Sequence, residues 1–496
     1  MIHDLRGATI CAGIVVFLAA CNFPPPSATS GAITTPTLHS DPTASPIAIT
    51  SNPAPSATPL ASEQPARTRY DFNVLLDTAS NKAVVDEKIV FSNPSSNPLS
   101  EITLVVSPNG TPGVFTLNSV QWGDGAEVRD YELKGENLTI SLPADLDVGQ
   151  EGQVLLSYQL DLPEGKGWLN NTGSQLNFGD WYPFLPVYKE EVGWMTNSRP
   201  RVGEHLVYDL ADYEVTLCIA SPDPGFVVAA SAPSERTENG WHYSLPGARS
   251  FAFSVSDKFT VSETYSNGIQ ILSYAFPEHP GQGEVARDVT GDALSLYEER
   301  YGEYPHPSLS VVEADFPDGM EYDGLFFLGK SYYQQFAGDP LSYLPAIAAH
   351  ETAHQWFYGI IGNDPALQPW LDEAMATYSE LLYYERFYPE IASNWWSFRV
   401  DPYFPRGAVD STVYDFGGFR PYVNAVYLQG AQFLDDLREV VGDEVFYTFL
   451  RDYAEQGRQR SPGSLSSTLD FFEILTNHTN KDISGLIREY FANVLP

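Results

Sequence analysis

Ala348-Ala349-His350-Glu351-Thr352-Ala353-His354-Gln355-Trp356 decides how the rest of the chain is read. Two histidines four apart on a helix project from one face, one above the other, so both imidazoles can hold a single ion, with zinc the natural guest. Ser342 ahead of the motif can cap a helix, Pro345 is tolerated in its first turn, and Gly359 and Gly362 mark the far end. The motif is therefore expected in mid-helix. Glu351 is rotated off the ligand face, where it can act as general base without filling a coordination position. A surface helix with two solvated histidines is the plain alternative.

Catalytic zinc takes three protein ligands and keeps one position open. Glu373 is the candidate third ligand. It lies in Trp370-Leu371-Asp372-Glu373-Ala374-Met375-Ala376-Thr377-Tyr378, whose apolar residues recur at helical spacing after the loop signals Gly362, Asn363, Asp364, Pro365 and Pro369. Helix, short loop and helix would bring Glu373 to the two histidines as an antiparallel pair.

HETAH, eighteen further residues, then the glutamate inside WLDEAMATYSE resembles the aminopeptidase N-like gluzincin metallopeptidases, whose catalytic domain is thermolysin-like. Gly319-Met320-Glu321-Tyr322 resembles that family's substrate loop, and Tyr427-Leu428-Gln429-Gly430 the segment carrying its catalytic tyrosine. The resemblance implies one zinc per chain held by His350, His354 and Glu373, with Glu351 as base. It implies that Glu321, with Gly319 and Met320, binds the free amine of a peptide, and that Tyr427 donates its phenol hydrogen to the oxygen on which charge develops. Tyr422, five residues earlier, is the alternative tyrosine. Asp318 stands where the family has glycine and Tyr322 where it has asparagine, and an acidic surface turn is the other reading of this loop. A second amine contact known in longer members has no evident counterpart here. Peptides are the implied substrates. Cleavage of internal bonds, another electrophile on the same scaffold, or a tethered surface-binding protein with a closed structural zinc are the alternatives.

From its start, the chain has Arg6, an apolar run from Ala8 to Ala20, and Leu18-Ala19-Ala20-Cys21, which looks like a bacterial lipobox. Residues 1–20 are expected to be a signal segment, Cys21 a lipidated residue anchoring the chain to the outer face of a bacterial membrane, and Cys11 part of the leader. A simply secreted form is the alternative. Residues 21–67, rich in Pro, Ser and Thr, cannot bury enough apolar surface to fold and read as a tether.

Residues 68–256 alternate in short segments between turn clusters, including Tyr70 to Asp77, Ala83 to Phe91, Ile102 to Val106, Val154 to Leu160, Tyr213 to Ile219 and Phe251 to Val255. An antiparallel β-sandwich is expected. Within it, Phe178-Gly179-Asp180-Trp181-Tyr182-Pro183-Phe184 is either cleft wall or core, and Cys218 is expected to be a buried thiol. Residues 257–496 are expected to form the mostly helical catalytic domain, giving an α+β multidomain fold. There a helix is expected from Glu284 to Tyr301, a buried strand from Ser308 to Ala314 and an edge strand from Gly324 to Leu328, with Glu321 in the loop between the strands. Three helical stretches after Val440 look like the completion of this domain, without the large helical C-terminal domain of longer relatives.

Asp372 and Glu380 are both candidates for orienting a zinc histidine, Asp323 is read as solvated, and His306 and His478 as structural. The formal charge of −37 argues against nucleic acid, whose phosphates need basic surface. It favours substrates with a positive end, and oligomeric state is not readable.

Overall fold

The computed structural model describes residues 67–220, 225–238 and 240–493. The leader, Cys11, Cys21 and nearly all of the tether lie outside the described residues. Among the described residues no helix is long and apolar enough to cross a membrane. Gln64–Pro496 forms one compact unit.

Its first half is β-rich. A seven-stranded sheet runs, edge to edge, through Ser234–Thr237, Gly240–Ala248, Ala211–Ile219, Thr68–Asp77, Lys82–Ser92, Glu151–Asp161 and Phe115–Trp122. Strict alternation produces it: Tyr70, Phe72, Val74 and Leu76 of Thr68–Asp77 all point inward and are at most 2% exposed. One pairing departs from the antiparallel expectation, since Thr68–Asp77 runs parallel to Ala211–Ile219. The long connection between these strands lets them lie side by side in the same direction, which no tight turn could do.

The Phe178–Phe184 segment belongs to the core. Trp181 and Tyr182 pack on Phe72 with ring centroids 4.8 and 5.1 Å away, and Tyr70 stacks on Tyr213 at 5.2 Å. Only Asp180 of this segment reaches the large cavity beside the histidine motif. Cys218 faces the outer side of its strand and is half-buried, where a fully buried thiol was expected; it alternates with inward-facing Leu217 and Ile219.

After Phe253–Ser256 the next strand begins a second, five-stranded sheet, ordered Thr260–Ser266, Ile269–Ala275, Ser308–Ala314, Leu325–Gly329 and Gly319–Tyr322. The helix Pro280–Tyr301 connects two parallel neighbours, Ile269–Ala275 and Ser308–Ala314, as such pairs require. Contrary to expectation, Leu325–Gly329 is not the edge strand. It sits between Ser308–Ala314 and Gly319–Tyr322, because the hairpin's first arm swings outside its second. Glu321 is therefore on a strand, which corrects its expected place in a loop.

Asp323, read as solvated, is 3% exposed. Its carboxylate accepts hydrogen bonds from the backbone N–H groups of Arg249 and Ser250 at 2.9 and 3.2 Å, so it ties the hairpin to the β-rich half. Arg249, 2% exposed, donates from there to the carbonyls of Gly359 and Tyr208, both at 3.1 Å. At the hairpin's tip Gly324 adopts φ +71°, and a Cβ there would overlap the Ser231 carbonyl oxygen. Gly324→Ala is expected to cost at least about 2 kcal/mol through left-handed strain and this overlap. A urea denaturation midpoint equal to wild type would refute that expectation.

Candidate active site

The helix carrying the histidines spans Tyr343–Ala353, with Ser342 at its N-cap position but no side-chain cap bond. The motif thus occupies the last turn rather than mid-helix. His354 keeps helical angles (φ −62°, ψ −16°) just past the end, and the chain tightens there through Gln355 N–H to Thr352 O and Trp356 N–H to Ala353 O. Ending the helix frees the Phe357 carbonyl, which accepts from His354 Nδ1 at 2.9 Å. That bond fixes the tautomer and turns Nε2 into the site. Tyr358 follows at φ +144°, a strained backbone for a bulky residue, with its hydroxyl on Ser250 Oγ at 2.7 Å.

Trp370–Phe387 is the second helix, and Glu373 lies in its first turn. Glu373 Oε2 stands 3.5 Å from His350 Nε2 and 3.6 Å from His354 Nε2, and the two imidazole nitrogens are 3.2 Å apart. Bonds of 2.0–2.1 Å from one tetrahedral ion require its ligand atoms to be about 3.4 Å apart, so the three donors already define the face of a zinc site. His350, His354 and Glu373 are all buried.

Glu380 is the residue that orients His350. Its carboxylate accepts from His350 Nδ1 at 3.0 Å, from Trp395 Nε1 at 3.1 Å and from Arg399 at 2.9–3.0 Å, and it is fully buried. Asp372 touches neither histidine. It accepts from Asn363 Nδ2 and from the Glu373 N–H, fixing the helix start instead.

Tyr427 sits in a π-helical turn, Asn424–Leu428, between Phe419–Val423 and Gln429–Val441. Such wide turns re-aim a side chain at a functional site. Tyr427 donates to the Glu373 carboxylate, and its ring lies parallel to His350 with centroids 6.0 Å apart. Tyr422 packs edge-on against Tyr427 and is 1% exposed, in a supporting role. Gly430 makes this approach feasible, because a Cβ there would overlap that of Ala374, next to Glu373.

On the opposite side, Gly319 presses on Glu351, whose carboxylate any Cβ at that position would overlap. Glu351 is 4% exposed, and its Oε2 has no hydrogen-bond partner. Burial pushes its carboxyl well above the usual range, with Glu321 adding to the rise. Glu321 is itself 6% exposed and raised mainly by burial, which excludes the surface-turn reading. Met320 is half-buried beside it.

Nothing in the sequence pointed to Glu204. This residue lines the same cavity of about 860 Å³, and its carboxyl is driven up by burial and then by the nearby charge of Glu321 and Glu373. It is a lone acid in an irregular stretch, one of 64 acidic residues. His306 and His478 lie outside the cavity, as expected.

Burial opposes charge on His350, but the carboxylates of Glu373 and Glu380 outweigh it and raise its pKa to about 9. Burial likewise opposes charge on Glu373, yet His350 and His354 hold it down at about 2. Proton and metal compete for the same Nε2 atoms, and both histidines are raised by the surrounding carboxylates, so zinc affinity is expected to rise with pH across the neutral range and through about 9, where His350 loses its proton. Glu380→Gln is expected to weaken zinc binding by about 10–100-fold in chelator competition. An unchanged dissociation constant would remove its orienting role.

Comparison with known proteins shows what this chain is similar to. Residues 285–490 match the peptidase family M1 domain. Endoplasmic reticulum aminopeptidase 2 of Bos taurus is 32% identical over 150 residues, covering 28% of this chain and 15% of that protein. Aminopeptidase N of Lactobacillus delbrueckii subsp. lactis is 26% identical over 340 residues, covering 63% and 39%. The chain thus spans well under half the length of these curated relatives. An M1 zinc metallopeptidase from Deinococcus radiodurans shares the fold, with TM-score 0.60, 19% identity, and 87% of this chain and 95% of that one covered. A two-domain M1 zinc metallopeptidase bound to L-arginine superposes with TM-score 0.60 at 18% identity, over 87% and 95% of the two chains. Through residues 285–490 the chain is thus similar to the peptidase family M1 domain, and the solved structures that share its fold are M1 zinc metallopeptidases.

Proposed function

We propose that this protein is a zinc aminopeptidase that removes single residues from the free N-terminus of peptides. One observation carries the reading: two carboxylates, the buried Glu321 and the half-buried Glu204, share the cavity with the His350–His354–Glu373 trio. A peptide ammonium pairs with both by charge-assisted hydrogen bonds, whereas an acylated end offers no charge to offset their desolvation. Glu204 fills the place of the second amine contact for which the sequence offered no candidate.

His350, His354 and Glu373 hold the zinc, which when bound polarises the scissile carbonyl and lowers the pKa of water. Glu351 faces the cavity with an unpartnered oxygen, takes the proton of the attacking water and passes it to the leaving amine nitrogen. Its raised pKa suits it to hold that proton between the two transfers. Tyr427 turns its hydroxyl from Glu373 to the oxygen that becomes negative, a donor whose contact strengthens only as the carbonyl is attacked. Gly319 leaves room for Glu351 and confines it from one side.

The same proposal extends to the chain's setting. Residues 1–20 act as a lipoprotein signal, lipidated Cys21 anchors the protein to the outer face of a bacterial membrane, and residues 21–67 hold a β-rich domain (68–256) and a catalytic domain (257–496) away from the surface. Support comes from the Leu18-Ala19-Ala20-Cys21 stretch and from the tether composition.

Glu351→Gln is expected to retain one zinc per chain while kcat falls by about 10²–10⁴ on an aminoacyl amide. Wild-type turnover in the metal-loaded variant would sink the mechanism. N-acetylation of the substrate is expected to abolish cleavage, and its persistence would make the enzyme an endopeptidase. Cys21→Ser is expected to move the full chain from the membrane to the soluble fraction, whereas a variant that still pellets with membranes would remove the lipid anchor.

A further inference from the structure

The strand Gly319–Tyr322 gives the cleft a direction. Glu321, near its inner end, anchors the amine, and Gly319, two residues back, touches Glu351. A peptide held by its amine therefore continues past the metal trio toward Asp318 and the surface beyond it.

That surface is a wall of tyrosines. Tyr332 donates to Asp318 Oδ1 at 2.6 Å, Tyr332 stacks on Tyr343 with centroids 6.0 Å apart, and the Tyr343 and Tyr403 hydroxyls are bonded at 2.7 Å. On the Tyr403 ring, at 4.2 Å, rests the guanidinium of Arg420. Asp318, the three tyrosines and Arg420 all line the cavity. Resting on the ring engages the face of the guanidinium and leaves its N–H donors for a planar, two-oxygen partner.

Three other cavity-lining cations already have carboxylate partners: Lys166 has Asp315, Arg199 has Glu136 and Arg399 has Glu380. Among the described residues Arg420 and Arg201 have none, and both are exposed. The loop bearing Arg201 meets the segment bearing Arg420, since Gly203 abuts Val413 and Tyr422, and Tyr414 donates to the Ser198 carbonyl at 2.7 Å. Two unpaired arginines on the rim of one cleft stand out in a chain of net charge −37.

We infer that Arg420, seated on Tyr403 and assisted by Arg201, binds a substrate carboxylate two residues beyond the scissile bond, so that the enzyme favours tripeptides with a free C-terminus. This deepens the aminopeptidase reading and rests on it. The length agrees. Arg420 precedes Tyr427 by seven residues on one continuous helical run, about 10 Å of rise. The two residues of a tripeptide that come after the cut span about 7 Å, and an arginine stem covers the difference. An acidic side chain at the third position presents the same chemistry, so carboxylate recognition is common to both sources.

The test compares kcat/KM of the zinc-loaded full protein on Ala-Ala-Ala, its C-terminal amide, Ala-Ala-Glu amide and penta-alanine. The free acid is expected to exceed its amide by about tenfold, mainly through KM, the scale of one partly exposed charge-assisted pair. In Arg420→Gln the ratio of acid to amide is expected to fall below about threefold, with Arg420→Lys in between and Arg201→Gln giving a smaller drop. A fast Ala-Ala-Glu amide would assign the site to an acidic side chain, and a slow one with slow penta-alanine to the C-terminus. Equal cleavage of acid and amide by the wild type would overturn the inference while leaving the aminopeptidase reading in place. Cleavage of none of the four by zinc-loaded protein would overturn both.

Discussion

Like charge held out of water governs this molecule. Glu204, Glu321, Glu351 and Glu373 line one cavity, and Glu380 stands directly behind it. At an effective dielectric near 20, two unit charges 4 Å apart repel by roughly 4 kcal/mol, so the cluster is tolerable only when cations or protons are interleaved with it. Arg399 neutralises Glu380, the two histidines neutralise Glu373, and burial pushes the carboxyls of Glu204 and Glu351 upward. A metal ion and an ammonium group are the positive charges that such a cavity accepts most readily.

The backbone around the cavity is shaped to bring these groups together. The histidine helix stops one residue short of its second ligand, a strained Tyr358 comes soon after, and a π-turn carries Tyr427. Glycines at 319 and 430 allow approaches that any side chain would block. These are departures from regular structure, and they concentrate where regular structure would aim the side chains elsewhere.

The clustering of His350, His354 and Glu373 was legible because its spacing is rigid. Four residues on a helix fix His350 relative to His354, and the eighteen residues before Glu373 belong to a motif with few imitations. The β-rich first half was legible from period-two alternation, which burial enforces on every inward side chain. The order of strands in the five-stranded sheet was not, since alternation says which face is buried and nothing about which neighbour lies beside it. Asp323 looked solvated because acidic turns usually are, and its partners, backbone N–H groups 74 and 73 residues away, leave no local trace. Glu204 was silent for the same reason. A single acid becomes part of a site only through the fold that carries it there.

Arg249 has a consequence for how such an enzyme can be taken apart or inherited. Its guanidinium rises from the β-rich half into the turn after His350 and His354, where it occupies the space above Gly362 and holds the Gly359 carbonyl. Were the helical half detached, that turn would lose the donor bracing it, while the β-rich half would be left with a buried guanidinium that keeps Tyr208 O but has lost one of its two carbonyl acceptors. The halves look like separable modules in sequence, yet each completes the interior of the other. These two halves must therefore travel as one heritable piece.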